Sequence, residues 1–155
     1  MASSIWVSRR AAKPVGIGEA PRDEPCNEGA RAGTLWTATI RGEPTVRRRM
    51  HEVVLTDGIA RLVRSRPARL WQSRAMAQLL NRRPPRPFAG ELALDCSVWS
   101  MPAAGEIDES LLVEVLERAA IIASGRQIRE RRLLAAEDRE EPRILVRLAR
   151  FSSAG

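Results

Sequence analysis

The chain has 155 residues, of which 44% are hydrophobic, and this is enough for one domain with a buried core. Its formal net charge of +7 favours nucleic acid as the partner, ahead of an acidic protein or a membrane surface. No apolar run approaches the roughly 18 residues of a transmembrane helix, which excludes a membrane-spanning segment. One histidine and two distant cysteines, Cys26 and Cys96, exclude an ordinary zinc site.

Residues 1–33 are predicted to be an extended N-terminal tail, because they are rich in proline and glycine and have few periodic apolar residues. The first 18 residues contain Arg9, Arg10 and Lys13 and no acidic residue, a composition typical of a mitochondrial targeting segment. An ordinary disordered N-terminus has the same composition, so a cytoplasmic protein is the alternative. If the tail is ordered, we expect a larger assembly to hold it.

The domain is predicted over residues 34–151, with a C-terminal tail at 152–155. Alternating apolar residues predict strands, helical spacing predicts two helices, and Asp57-Gly58 predicts a tight hairpin. The order of elements indicates an α+β fold with two main helices packed on a mixed sheet. The predicted elements are a strand at 34–41, a hairpin in 51–63, a helix at 67–82, a strand at 91–100, a helix at 108–121 and strands at 127–134 and 142–151.

Positive charge is concentrated in the first half of the domain. Residues 34–90 contain twelve arginines and three acidic residues, whereas residues 91–155 contain nine arginines and twelve acidic residues. Guanidinium groups match phosphate geometry, which makes the arginines of the basic half candidate nucleic-acid contacts; a solvated basic face is the alternative. The candidates are Arg47, Arg48, Arg49, Arg61, Arg64, Arg66, Arg69, Arg74, Arg82, Arg83 and Arg86.

Four short motifs follow one another between Leu35 and Phe151. They are Gly42-Glu43-Pro44 with the basic cluster Arg47-Arg48-Arg49, the strand from Pro87 to Leu94, the Gln127-Ile128 anchor and the strand that opens at Pro142. Through them the chain resembles the RusA-like Holliday-junction resolvases. The resemblance implies a RusA-like mixed sheet and hydrolysis of phosphodiesters by Mg²⁺ held on clustered aspartates.

The acidic residues that this chemistry needs are incomplete. The resemblance places the paired aspartates of the family at Ser124 and Gly125, and its lysine at Val113. The first acidic motif falls near the start of the second helix, in a register that is ambiguous by one residue. Capping of that helix is the alternative role for the acids there. The vestigial candidates are Glu106, Asp108 and Glu109.

We therefore predict a protein without a catalytic residue, a metal or a cofactor. The predicted function is a nucleic-acid-binding structural subunit of a ribonucleoprotein, with an organellar (mitochondrial) ribosome as the leading example. Its partners would be structured RNA such as rRNA, recognised by shape and backbone, and neighbouring proteins of the assembly. One alternative is a divergent Mg²⁺-dependent junction endonuclease that acts as a homodimer. Another is a protein scaffold whose arginines face an acidic partner.

Overall fold

The computed structural model of the protein describes residues 4–6, 33–100 and 107–153. Within these ranges it confirms the α+β class, with two helices, a mixed sheet and a separate two-stranded hairpin. The order of elements predicted for the domain is also confirmed. The elements are β1 (Ser4–Trp6), β2 (Thr34–Arg41), β3 (His51–Thr56), β4 (Ile59–Arg64), α1 (Arg66–Leu80), β5 (Leu92–Ser100), α2 (Glu109–Arg118), β6 (Ile128–Glu137) and β7 (Arg143–Arg150).

The main sheet has the strand order β1-β6-β5-β7-β2, with β5 at its centre. Strand β5 is parallel to β6 and antiparallel to β7, and β7 is antiparallel to β2. The three-residue β1 pairs in parallel with the outer edge of β6, inside the segment predicted to be an extended tail. The sequence did not indicate β1, because three residues are too few to show a period.

The hydrophobic core lies between the helices and one face of the sheet. The residues of β5 that were predicted to point inward are all buried, and alternate residues of β7 are buried with them. Burial of apolar side chains of this size stabilises the fold by about 1.5–3 kcal/mol each. The inward residues are Leu92, Leu94, Cys96 and Val98 on β5 and Ile144, Val146 and Leu148 on β7.

Helix α1 begins at Arg66 because Ser65 caps it, and the Ser65 hydroxyl accepts a hydrogen bond from the Ala68 N–H at 3.2 Å. Pro67 lies in the first turn as predicted, where a helix does not need its missing N–H. The helix ends at Leu80, two residues earlier than predicted. Neither helix of the described residues is long and apolar enough to cross a membrane.

Helix α2 ends at Arg118, three residues earlier than predicted. Ala120 takes a left-handed conformation with φ of +56°, which stops the helix. The Ile121 N–H then donates to the carbonyl of Leu116 at 3.0 Å and closes the last turn. Glycine usually occupies such a position, and because alanine stands here, the end of the helix could not be predicted from the residue type.

Polar side chains join the two helices to the hairpin around Glu114. Arg64 and Gln72 both donate hydrogen bonds to the Glu114 carboxylate, and the Arg118 guanidinium lies 3.0 Å from it. Burial on its own raises the pKa of Glu114, but the hydrogen bonds and positive charges around it outweigh burial and leave the pKa below its usual value. The ionised carboxylate therefore stabilises the packing of α1 against α2.

We expect Glu114→Gln to lower the free energy of unfolding by about 1–2 kcal/mol at pH 7, because two charge-assisted contacts are lost. A carboxylate with a lowered folded pKa stabilises the fold fully above its unfolded pKa of about 4.3, and this contribution disappears as the pH falls through the folded pKa. Urea unfolding at pH 7 and pH 3 should therefore show the difference between wild type and variant shrinking at the lower pH. The exposed acid Glu137, changed to glutamine, is the control. A pH-independent difference would contradict the assignment.

Candidate nucleic-acid interface

A cleft of about 550 Å³ lies between the β2–β3 connection and the first half of α1. Five arginines and one glutamate line it, together with Leu70 and Trp71. The arginines come from the end of β2, from a 3₁₀ turn at Arg47–Arg49 and from two turns of α1. The packing of these segments brings together cations that lie up to 33 positions apart in the sequence. The lining arginines are Arg41, Arg48, Arg49, Arg66 and Arg74.

Ser65 fixes the 3₁₀ turn to the start of α1. Its hydroxyl caps the helix and also donates a hydrogen bond to the carbonyl of Arg49. Its backbone N–H donates to the carbonyl of Met50 at 2.8 Å. One buried serine therefore sets the position of Arg49 relative to Arg66.

Gln78 fixes the opposite rim of the cleft. Its side-chain oxygen accepts from the Arg41 N–H at 2.8 Å, and its side-chain nitrogen donates to the Arg41 carbonyl at 3.1 Å. The Gly42 N–H donates to the carbonyl of Pro142 at 2.9 Å, next to the start of β7. The rim is thus held both to α1 and to the sheet, and the cleft is preorganised.

The charges in the cleft favour an anion. The side chains of Arg49, Arg66 and Arg74 are exposed, Glu43 is the acid among the lining residues, and Arg41 lies 3.4 Å from Glu141 at the edge. Cations that converge on a cleft repel one another, so a bound anion relieves the repulsion and gains charge-assisted hydrogen bonds.

Trp71 supplies a second feature of the cleft. The residue is 7% exposed, and its indole N–H has no acceptor within the part of the chain that the structure describes. A buried donor without a partner costs about 1–3 kcal/mol. Trp71 also lines the cleft, so a ligand bound there would change the surroundings of this buried donor.

Only part of the predicted arginine set meets at this cleft. Arg48, Arg49, Arg66 and Arg74 line it, and Arg47 and Arg69 are exposed on the same two segments. The other five candidates lie elsewhere. Arg61 and Arg64 are on the hairpin, and Arg82, Arg83 and Arg86 follow the far end of α1, whose 15 residues span about 22 Å.

Arg64 differs from the rest of the set because its guanidinium is half-buried and bound to Glu114 and Gln72. We therefore leave it out of the proposed interface. Sequence reasoning missed Arg41 and Trp71 as lining residues. The signal for Arg41 was its place as the last residue of a predicted strand, directly before a Gly-x-Pro turn. For Trp71 the helical spacing indicated only burial.

Of the acidic candidates at the start of α2, Asp108 has structural partners. Asp108 is the N-cap, and its carboxylate accepts hydrogen bonds from the N–H groups of Ser110 and Leu111 at 2.9 and 3.2 Å. Glu109 is half-buried in the first turn, and Glu106 lies outside the described residues. In the ranges that the structure covers, no group of three His, Cys, Asp or Glu side chains is placed to hold a metal.

Ser124 and Gly125 also have structural roles. The Ser124 hydroxyl accepts from the Arg126 N–H at 3.3 Å, and the Gln127 side chain accepts from the Ser124 N–H at 2.9 Å, which completes a capping box. A Cβ atom added to Gly125 would lie 2.7 Å from Cγ1 of Val113. The positions at which the resemblance places an aspartate and a lysine therefore lie side by side, and the Val113 side chain leaves no room for a Cβ atom at Gly125.

Gln127 ties this turn to the strand at the centre of the sheet. Its side-chain nitrogen donates to the carbonyls of Phe88 and Gly90, both at 2.9 Å, just before β5. Gln127 of the predicted Gln-Ile anchor is thus a packing residue of the fold.

No protein-family model matches the chain, and no curated protein matches it. The cleft must be interpreted from its own chemistry.

Proposed function

We propose that the protein binds the phosphate backbone of a structured RNA in the arginine-lined cleft and does not cleave it. The observation that carries this proposal is the convergence of five arginines on one preorganised cleft that contains a single acid. In the same proposal, the chain is a RusA-like scaffold recruited as a structural subunit of a ribonucleoprotein, with a mitochondrial ribosome as the leading example.

The volume of the cleft fits a nucleotide of a nucleic-acid strand better than an isolated inorganic anion. A volume of about 550 Å³ exceeds what one phosphate needs, and it falls in the range of sites that hold small organic ligands. Leu70 and Trp71 add apolar surface beside the arginines, which suits a sugar or a base next to a phosphate. A single nucleotide would fill this volume, so the neighbouring nucleotides of a continuous strand would lie outside the cleft.

Two features support binding without hydrolysis. Asp108 is used as a helix cap, and the turn at Ser124-Gly125 is used for packing. A metal-dependent hydrolase must bring several oxygen ligands within a few ångströms of one ion. The protein would therefore keep a phosphate in place without activating water to attack it.

Binding and cleavage can be measured together on labelled substrates. Fluorescence anisotropy measures binding of a stem–loop RNA and of a four-way DNA junction from 50 to 300 mM KCl. The logarithm of the association constant should fall linearly with the logarithm of the salt concentration, with a slope of about −3 to −4. Neither substrate should be cut after incubation with Mg²⁺. Junction cleavage that disappears in Asp108→Asn would support the endonuclease alternative. Failure to bind either nucleic acid would remove the proposal and leave the protein scaffold.

A further inference from the structure

Strands β3 and β4 form an arm, residues 51–64, that projects from the domain. Its central apolar side chains are open to solvent, which is unusual for large hydrophobic residues. Among the described residues, the arm carries four of the seven exposed large hydrophobic side chains. They are Val53 (67% exposed), Leu55 (77%), Ile59 (58%) and Leu62 (69%).

Among the described residues, the contacts that hold the arm are at its base. Arg64 binds Glu114 of α2, and the Ser65 N–H donates to the carbonyl of Met50. Beyond this base, β3 and β4 pair with each other and with no other strand of the described residues. A two-stranded hairpin is marginally stable alone, and its outer edges present unpaired backbone groups. These features indicate that a partner strand completes the arm.

The turn determines which backbone groups point outward. Asp57 and Gly58 have φ of +53° and +75°, the pattern of a type I′ turn. Such a turn makes Thr56 and Ile59 a hydrogen-bonded pair, and hydrogen-bonded and non-hydrogen-bonded pairs then alternate along the arm. The N–H and C=O groups of Val53 and Leu55 therefore lie on the free edge of β3.

We propose that a second copy of this chain pairs antiparallel along β3, around a twofold axis through Val54. In this register Val53 lies opposite the partner subunit's Leu55, and both residues have outward backbone groups. Glu52 lies opposite the partner subunit's Thr56, and His51 lies opposite the partner subunit's Asp57. No like charges face each other, and an imidazole meets a carboxylate at each end of the new pair.

The other edge of the arm is less suited to this pairing. Strand β4 carries Arg61 and Arg64, and Arg64 is held against the domain by Glu114. Pairing of β3 with the partner subunit's β4 would be head-to-tail and would not close at two copies. Pairing of β3 with itself closes at a dimer and joins the apolar faces of both arms into one four-stranded sheet. The dimer does not depend on the proposed function of the cleft.

Sedimentation velocity from 1 to 100 µM, without nucleic acid, tests the dimer. Val53→Pro removes an outward N–H while keeping the bonds inside the arm, because proline is tolerated on a free edge. It should raise the dimer dissociation constant about thirtyfold, since symmetry removes two backbone hydrogen bonds. Leu62→Pro is the matched control: Leu62 lies directly opposite Val53 but faces the other edge, and the dimer should persist.

A monomeric wild type at 100 µM, or equal loss of the dimer in both proline variants, would overturn the proposal.

A disulfide experiment distinguishes strand pairing from any effect of proline on folding. In a Cys26→Ser chain, Val54→Cys should form a disulfide-linked dimer on oxidation, because the two positions meet at the twofold axis. Arg61→Cys, directly across the arm, should not form a disulfide between subunits. Cys96 does not interfere, since it is buried and burial raises the pKa of its thiol. Crosslinking of Arg61→Cys alone would also contradict the β3 edge.

Discussion

Replacing Arg49, Arg66 and Arg74 together by glutamine is expected to weaken binding of a stem–loop RNA about a hundredfold at 100 mM KCl. Each exposed guanidinium that contacts a phosphate contributes about 1 kcal/mol to the free energy of binding. Each lost contact reduces the steepness of the salt dependence by about 0.7 to 1. The slope of log affinity against log salt should therefore become shallower by about 2 to 3. Anisotropy titrations at four salt concentrations measure both quantities, and the urea unfolding midpoint checks that the variant is folded.

The matched control removes the same charge from another place. A triple glutamine variant beyond the end of α1 has an equal net charge, but its residues lie eight or more positions past Arg74, the last cleft arginine of α1, or about 12 Å along the helix axis. We expect it to weaken binding by less than about fivefold, through long-range attraction alone. Equal losses in the two variants would mean that a diffuse basic surface binds RNA, and that the cleft has no special role. The control residues are Arg82, Arg83 and Arg86.

Gly125→Ala is expected to lower the free energy of unfolding by about 2 kcal/mol, and Gly125→Asp by about 3 kcal/mol. The added Cβ would lie 2.7 Å from Cγ1 of Val113, and valine in a helix has one preferred rotamer, so it cannot turn away. Urea unfolding of the two variants measures the loss. Because the turn is a packing site in this account, Gly125→Asp should not produce Mg²⁺-dependent cleavage of a junction.

A double-mutant cycle with Val113→Ala tests the cause of this loss. Val113→Ala alone should cost about 1–2 kcal/mol by leaving a small cavity. The double variant with Gly125→Ala should lose at least about 1 kcal/mol less stability than the sum of the two single variants, because the Val113 methyl group that contacts the new Cβ is removed. If the losses of stability in the two single variants simply add, the contact between residues 113 and 125 is not the cause of the loss in Gly125→Ala. A gain of stability in Gly125→Asp would instead favour an acidic residue at this position.

The local features of the fold were predictable because they depend on short stretches of sequence. The Asp57-Gly58 turn depends on two neighbouring positions and was confirmed. The predicted inward residues of β5 are buried, but Ala93, Ser97 and Trp99 of the opposite set are buried as well, so burial does not alternate along this strand. The end of α2 was missed because Ala120 adopts a conformation that alanine rarely takes. Strand β1 was missed because its pairing with β6 depends on a contact between distant segments.

The cleft was predictable only in its chemistry. The sequence predicted that arginines in the basic half contact phosphate, but not that Arg48, Arg49, Arg66 and Arg74 would line one cleft. That grouping depends on Ser65, which joins two segments through hydrogen bonds that no pattern encodes. The same limit explains why a run of basic residues did not reveal the partners of Arg64. Tertiary packing decides which charges remain available for a ligand.

The indole N–H of Trp71 offers the most direct test of the cleft. In a ¹H–¹⁵N spectrum of the full chain, assigned with Trp71→Phe, its signal should shift as RNA is added, because Trp71 lines the cleft and a bound ligand changes the surroundings of its ring. The indole N–H of Trp36 already donates to the carbonyl of Arg82 at 2.8 Å, beside the control arginines, and should stay in place. A shift of the Trp71 signal with a constant Trp36 signal is the result that this account predicts. A Trp71 signal that does not move at saturating RNA would contradict it.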